Sequence, residues 1–214
     1  MSSREAPNTQ HQTPNTKHKT PNTIFQKFLQ IPPARADMGI DSGEPNSSEK
    51  EFYMTGIQNV DLRGFVTHSI ASVFETMLSM NLTAEDPPRR ENVTTGNHVV
   101  GTVGFAGAVM GNVNVFVSRD FAREMTAAML GMSVDDIGSD EEVHDVIGEV
   151  CNMVGGNLKS KLCDAGLTCS LSIPCITFGN SFRVESKGWD RHELLGFRNS
   201  HNSALIEIYV KNAT

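Results

Sequence analysis

The sequence predicts a mixed α/β chain on three observations. Three stretches repeat their apolar residues with a period near that of a helix, five shorter stretches alternate apolar with small or polar residues, and residues 1–50 do neither. With 214 residues, 38% hydrophobic and 20% charged, the chain suffices for one domain with its own core plus additional sequence.

Residues 1–50 are rich in Pro, Asn, Thr, Ser, Gln and Lys and hold too few apolar groups to offset the entropy of ordering. They are expected to form a disordered tail ahead of a domain over residues 51–214. Pro7-Asn8-Thr9, Pro14-Asn15-Thr16 and Pro21-Asn22-Thr23 recur every seven residues, with His11 and His18 in one phase. The repeat lacks the apolar positions of a coiled coil. Ile24 to Leu29 is its one apolar patch.

From Asp61 to Met80 the spacing predicts a helix, with Asp61 as its cap and Leu62, Phe65, Val66, Ser69, Val73, Met77 and Met80 near one face. Asn81 to Arg90, containing Pro87-Pro88, reads as a loop. His98 to Phe105 and Val109 to Val117 read as strands, with Gly107 and Gly111 suited to a hairpin connection. Gly101, Gly104 and Gly107 lack the strand-then-helix setting and the Lys-Ser/Thr of a phosphate loop. Ser118 to Met132 is a second helix, capped by Ser118, with Phe121, Met125, Ala128 and Met129 expected to face inward.

The third helix organises the rest. Between Asp140 and Leu162, Val143, Ile147, Val150, Val154 and Leu158 share one arc, and Asp145, Glu149 and Asn152 share the opposite one. Ser139 or Asp140 can cap its start, and Glu141 and Glu142 place negative charge where the helix dipole favours it. Most polar helix faces are simply solvated. Two details set this one apart. Gly155 and Gly156 lie inside the helix at about 1 kcal/mol each against Ala, and Gly156 shares the arc of Asn152, where a missing side chain lets another molecule approach. Asn152 is itself a mediocre helix former, better suited to presenting an amide than to building a helix.

The helix ends near Gly166, and Leu167 to Ile173, Ile176 to Val184 and Ala204 to Lys211 read as three further strands. Glu185 to Ser203, with Trp189, Arg191, His192, Arg198 and His201, is long for a loop. It reads either as a partner-contacting flap or as a surface loop with Trp189 packed on the sheet.

Composition narrows the function. A formal net charge of −7 and a pI of about 5.5 offer no basic patch for a nucleic acid. No apolar run approaches the roughly 18 residues of a membrane span, and the polar N-terminus is not a secretion signal, so the expected compartment is the cytoplasm. Cys151, Cys163, Cys169 and Cys175 contain no C-x-x-C and are expected to be free thiols, buried or half-buried. His68, His98, His144, His192 and His201 show no i, i+4 pairing of the kind a metal hydrolase uses, and His144 reads as a surface or rim histidine.

The pattern D-x-x-x-E-x-x-N, present as Asp145, Glu149 and Asn152, with Pro174 following after 21 intervening residues, resembles the signature of the CheC, CheX and FliY family of chemotaxis phosphatases. The run IGEVCNMVGGNLKSKL is similar to the CheX branch, and the resemblance covers Asn59 to the C-terminus. Aligning the first helix with the third puts Ala71, Glu75 and Leu78 where Asp145, Glu149 and Asn152 stand, which leaves one complete site.

The resemblance implies a CheC/CheX-like α/β (α+β) fold, a twisted, mostly antiparallel sheet carrying the long helices. It implies a phosphatase acting on the aspartyl phosphate of a CheY-like response regulator, with Mg2+ in the regulator's active site and no cofactor of the chain's own. Glu149 and Asn152 would be catalytic, and Asp145, Gly156 and Lys159 would contact the partner, with Pro174 structural. It also implies a homodimer joined through sheet edges such as Ala204 to Lys211. The alternative is a non-catalytic module that grips a regulator or a flagellar switch component.

Overall fold

In a computed structural model, residues 56–88, 96–180 and 187–213 are described. The expectations for the tail over residues 1–50 lie outside them. Among the described residues three α-helices, α1 (Leu62–Leu78), α2 (Arg119–Leu130) and α3 (Asp140–Asp164), each begin at a side-chain oxygen. Asp61 accepts from the Gly64 amide at 2.9 Å, Ser118 from that of Phe121 at 3.1 Å and Ser139 from that of Glu142 at 3.4 Å. Each cap satisfies an amide that the first helical turn leaves without a carbonyl.

Among the described residues seven strands form one sheet: β1 (Thr83–Glu85), β2 (Asn97–Gly107), β3 (Val109–Ser118), β4 (Cys169–Leu171), β5 (Cys175–Asn180), β6 (Arg191–Arg198) and β7 (Ser203–Asn212). The order is β1-β6-β7-β3-β2, with β4 and β5 both on the outer side of β2, and every pairing among them is antiparallel. Alternate residues point to opposite faces, so Val99 and Val103 of β2, Val113 and Val115 of β3, and Ile206 and Ile208 of β7 join the helices in one core. A smaller cluster of Val100, Phe116 and Leu205 lies on the other face.

The core fixes α3. Its apolar arc packs against α1, α2 and β2, and the buried Ser69 hydroxyl of α1 donates to the Val154 carbonyl at 3.1 Å. The Arg119 guanidinium pairs with the Asp140 carboxylate, tying the starts of α2 and α3 together.

Several expectations need correction. Asn81 to Arg90 contains the short strand β1, which pairs with β6. Ala128 is exposed, and Ala122, Thr126 and Ala127 join Phe121 and Met125 on the buried face of α2. Gly111 lies within β3, where an added Cβ would sit 2.1 Å from the Tyr209 carbonyl oxygen, so its role is close strand packing and not the turn.

The largest change is in Glu185 to Ser203, which holds β6. Its polar start hid it: the Arg191 guanidinium donates to the Ile57 and Val60 carbonyls at 2.7 and 2.6 Å and pairs with Glu193 at 2.7 Å. Those charges are used inside the fold. Trp189 packs beside Tyr209, with ring centroids 6.1 Å apart, and Lys211 lies over its ring.

With β6 in place, Ala204 to Lys211 is no exposed edge. β7 pairs with β3 on one side and β6 on the other, so it cannot supply the edge of a dimer. Residues 181–184, at the end of the expected Ile176 to Val184 strand, lie outside the described residues.

Candidate functional site

The candidate site is the outward arc of α3. Val143, Ile147, Val150, Val154 and Leu158 are buried, which turns Asp145, Glu149, Asn152 and Gly156 away from the core. Asp145 is exposed. Glu149, Asn152, Gly156 and Lys159 are half-buried: none is sealed inside and none is fully solvated. Among the described residues, neither the Glu149 carboxyl nor the Asn152 side-chain amide makes a hydrogen bond, so both groups arrive at the surface with their capacity unspent.

Burial raises the pKa of the Glu149 carboxyl above its ordinary value, because partial removal from water penalises the charged form. A carboxylate in that state gains more than a fully hydrated one from an incoming cation.

The two helix glycines divide the work. Gly155 faces the sheet, where an added Cβ would lie 2.7 Å from Cγ1 of Val103, whereas a Cβ on Gly156 would meet nothing within 4 Å. The first lets α3 lie close on β2, and the second leaves the outer surface bare beside Asn152. Cys151, next to Asn152 in sequence, is buried with its thiol pushed up to about 12, and it packs against Gly101. Of the other thiols, Cys169 is buried, Cys163 half-buried and Cys175 exposed, the last against the expectation of burial.

The rim of the site comes from the strand side. His144 is half-buried and its ring lies 4.1 Å from that of Phe178. Pro174 is half-buried between β4 and β5, next to Ile173, which is 90% exposed. The sequence placed Ile173 at the end of a strand. The signal of its departure was the proline after it, which removes a ladder donor.

Of the equivalent positions on α1, Ala71 and Glu75 are exposed and Leu78 is buried in the core, so that helix offers a carboxylate without an amide. Among the described residues no three His, Cys, Asp or Glu side chains gather as a metal site.

Residues 99–198, spanning β2 to the end of β6, match the family model described as "Chemotaxis phosphatase CheX". Over these residues, just under half of its length, the chain is similar to the CheX branch of the CheC, CheX and FliY family. The CheY-P phosphatase CheX of Thermotoga maritima is 27% identical over 123 residues, which cover 56% of this chain and 78% of that protein. A CheC-like superfamily protein from Shewanella sp. PV-4 is 27% identical, with a TM-score of 0.62 over 72% of this chain and 99% of its own. The structure of the CheX-CheY-BeF3-Mg2+ complex from Borrelia burgdorferi matches at 21% identity and a TM-score of 0.58, covering 72% of this chain and 99% of that one, a likeness of fold. The α+β architecture with helices on an antiparallel sheet is thus that of the CheC/CheX fold.

Proposed function

We propose that the chain is a phosphatase that accelerates hydrolysis of the aspartyl phosphate on a CheY-like response regulator. The observation that carries this reading is the half-buried pair Glu149 and Asn152 on one outward arc of α3, beside the open surface at Gly156. The Thermotoga relative's name and the CheX-CheY complex of Borrelia support the choice of partner.

The substrate is a mixed anhydride. A water oxygen attacks phosphorus, the bond from phosphorus to the aspartyl oxygen breaks, the carboxylate leaves and the water's protons remain with the phosphate. A carboxamide both donates and accepts, so Asn152 holds that water in line behind the phosphorus. Alignment and charge placement gain more here than proton abstraction. Glu149 pairs with the lysine of the regulator's active site and fixes the register of the two proteins. Asp145 and Lys159 flank the contact, and bare Gly156 makes room for the regulator's loops. The regulator brings its own Mg2+, as the composition of the Borrelia complex supports.

The same reading places the chain in the cytoplasm with its regulator; no described helix is long and apolar enough to cross a membrane. For the homodimer that the resemblance implies, the outer sheet edges among the described residues are β1 and the β4–β5 side.

The test is decay of the acyl phosphate on a magnesium-loaded, phosphorylated CheY-like protein with and without the chain. Catalytic acceleration is expected, at amounts of chain well below the regulator's. Binding without acceleration would replace this reading with that of a non-catalytic module.

A further inference from the structure

We propose that Ile173 is an apolar anchor which the regulator covers when it docks on the α3 stripe; the inference rests on the phosphatase reading and names a contact that reading lacks. Ile173 is 90% exposed, whereas the other exposed large hydrophobics among the described residues, Leu130, Met132 and Val134, are 37 to 38% exposed. A lone exposed apolar residue needs no explanation in itself. What distinguishes this one is how it is held and where.

The backbone around it is pinned. Leu171 pairs with Phe105, the Ser172 amide donates to the Gly104 carbonyl at 2.8 Å, and the Gly104 amide donates back to the Ser172 hydroxyl at 2.9 Å. That hydroxyl in turn donates to the Ile173 carbonyl at 3.0 Å. Pairing resumes with Cys175 opposite Thr102. Between these points β2 has only Val103 while the outer run has Ile173 and Pro174, a two-for-one bulge that turns residues out of the ladder. Pro174 removes a donor and fixes its own φ. An apolar side chain presented from such a frame loses little freedom on being covered.

The bulge also lies beside the stripe. Cδ1 of Leu171 is 3.7 Å from the Cβ position of Gly155, and Cδ1 of Ile176 is 4.0 Å from that of Gly148. The segment between Leu171 and Ile176 therefore runs along the length of α3 from Gly155 back to Gly148, which contains Glu149 and Asn152. At about 1.5 Å per residue that length is about 10 Å, well inside one protein contact. An apolar knob on the segment that borders a helix bearing a carboxylate and an amide has the make-up of an interface centre, where an aliphatic anchor fills a pocket and polar groups set the register. A second copy fits less well, because a bulge and a proline blunt an edge against strand pairing. The occupant is therefore the regulator that the α3 stripe receives.

The experiment uses the full chain with Ile173→Asp, Ile173→Leu and Asn152→Ala. Affinity is measured for a regulator held in its magnesium and beryllium fluoride form, together with KM and kcat, thermal unfolding and mass in solution. Ile173→Asp is expected to weaken affinity by about tenfold or more and raise KM, with the loss recovered at saturating regulator, while unfolding is unchanged and Ile173→Leu binds as the parent does. Unchanged affinity in Ile173→Asp overturns the anchor, whatever happens to Asn152→Ala. Dissociation of a dimer with regulator affinity intact overturns it as well and assigns Ile173 to a second copy. Weakened binding by Ile173→Asp with parental kinetics in Asn152→Ala upholds the anchor while removing the phosphatase reading.

Discussion

Gly155 and Gly156 are neighbours on α3 with opposite surroundings: a Cβ on the first would lie 2.7 Å from Val103, and one on the second would touch nothing within 4 Å. The same change at the two positions therefore has opposite signs. Gly156→Ala gains helix propensity and is expected to stabilise by about 0.5–1 kcal/mol, whereas Gly155→Ala overpacks the contact with β2 and costs about 1–3 kcal/mol. Thermal unfolding checks both, at about 2–4 °C per kcal/mol for a chain of this size. Gly156→Leu is expected to fold normally and, on the proposed phosphatase reading, to lose acceleration of the regulator's dephosphorylation, since its side chain fills the bare surface beside Asn152.

Glu149 gives a pH dependence with a definite sign. Its carboxyl is raised by burial, so it takes up a proton at a higher pH in the folded chain than in the unfolded one. Relative to an unshifted glutamate it favours the fold below the ordinary carboxylate range, and that contribution is lost as pH rises through the folded value. At pH 7 the charged form is thus a cost to the fold, and Glu149→Gln is expected to melt slightly higher than the parent. Its affinity for the regulator should nevertheless fall. In the parent, affinity should drop on acidification at a higher pH than an ordinary glutamate would give, and this acid limb should be missing from Glu149→Gln.

The thiols separate by burial. Cys151 is fully buried and its pKa is pushed up to about 12, whereas Cys175 is exposed. Alkylation at pH 8, followed by peptide mass mapping, should modify Cys175 early and Cys151 only on unfolding, because the reactive species is the thiolate. Early labelling of Cys151 would mean that α3 does not lie on β2 as described.

Gly101 tests the same contact from the strand. An added Cβ would fall 2.1 Å from the Cys151 sulfur, so Gly101→Ala is expected to destabilise by about 1–3 kcal/mol. Gly101→Ala with Cys151→Ala should recover part of that loss, an interaction a double-mutant cycle in urea would read directly.

How much of this was legible in the sequence follows from where the local signals agree with the packing. The helices were readable because their caps are chemical: Asp61, Ser118 and Ser139 each bond the first turn. The outward arc was readable because the apolar residues of α3 leave one direction for Asp145, Glu149 and Asn152. β6 was not, since Arg191 and Glu193 look like loop residues until Ile57 and Val60 supply the carbonyls that Arg191 binds 131 to 134 residues away in sequence. β7 resembles an edge strand in sequence for the same reason, because its partner β6 begins with charged residues. The bulge at Ile173 depends on the register of β4 and β5 against β2, a long-range relation that a proline marks without describing.

The central claim is that the Asn152 amide positions the attacking water and does little for binding. Phosphate release should be followed at saturating phosphorylated regulator with magnesium, for the parent and Asn152→Ala, alongside affinity for the beryllium fluoride form. Loss of at least about a hundredfold in rate, with affinity within about threefold, is the result expected of a group that acts mainly in the transition state. Equal rates in the two proteins would contradict it.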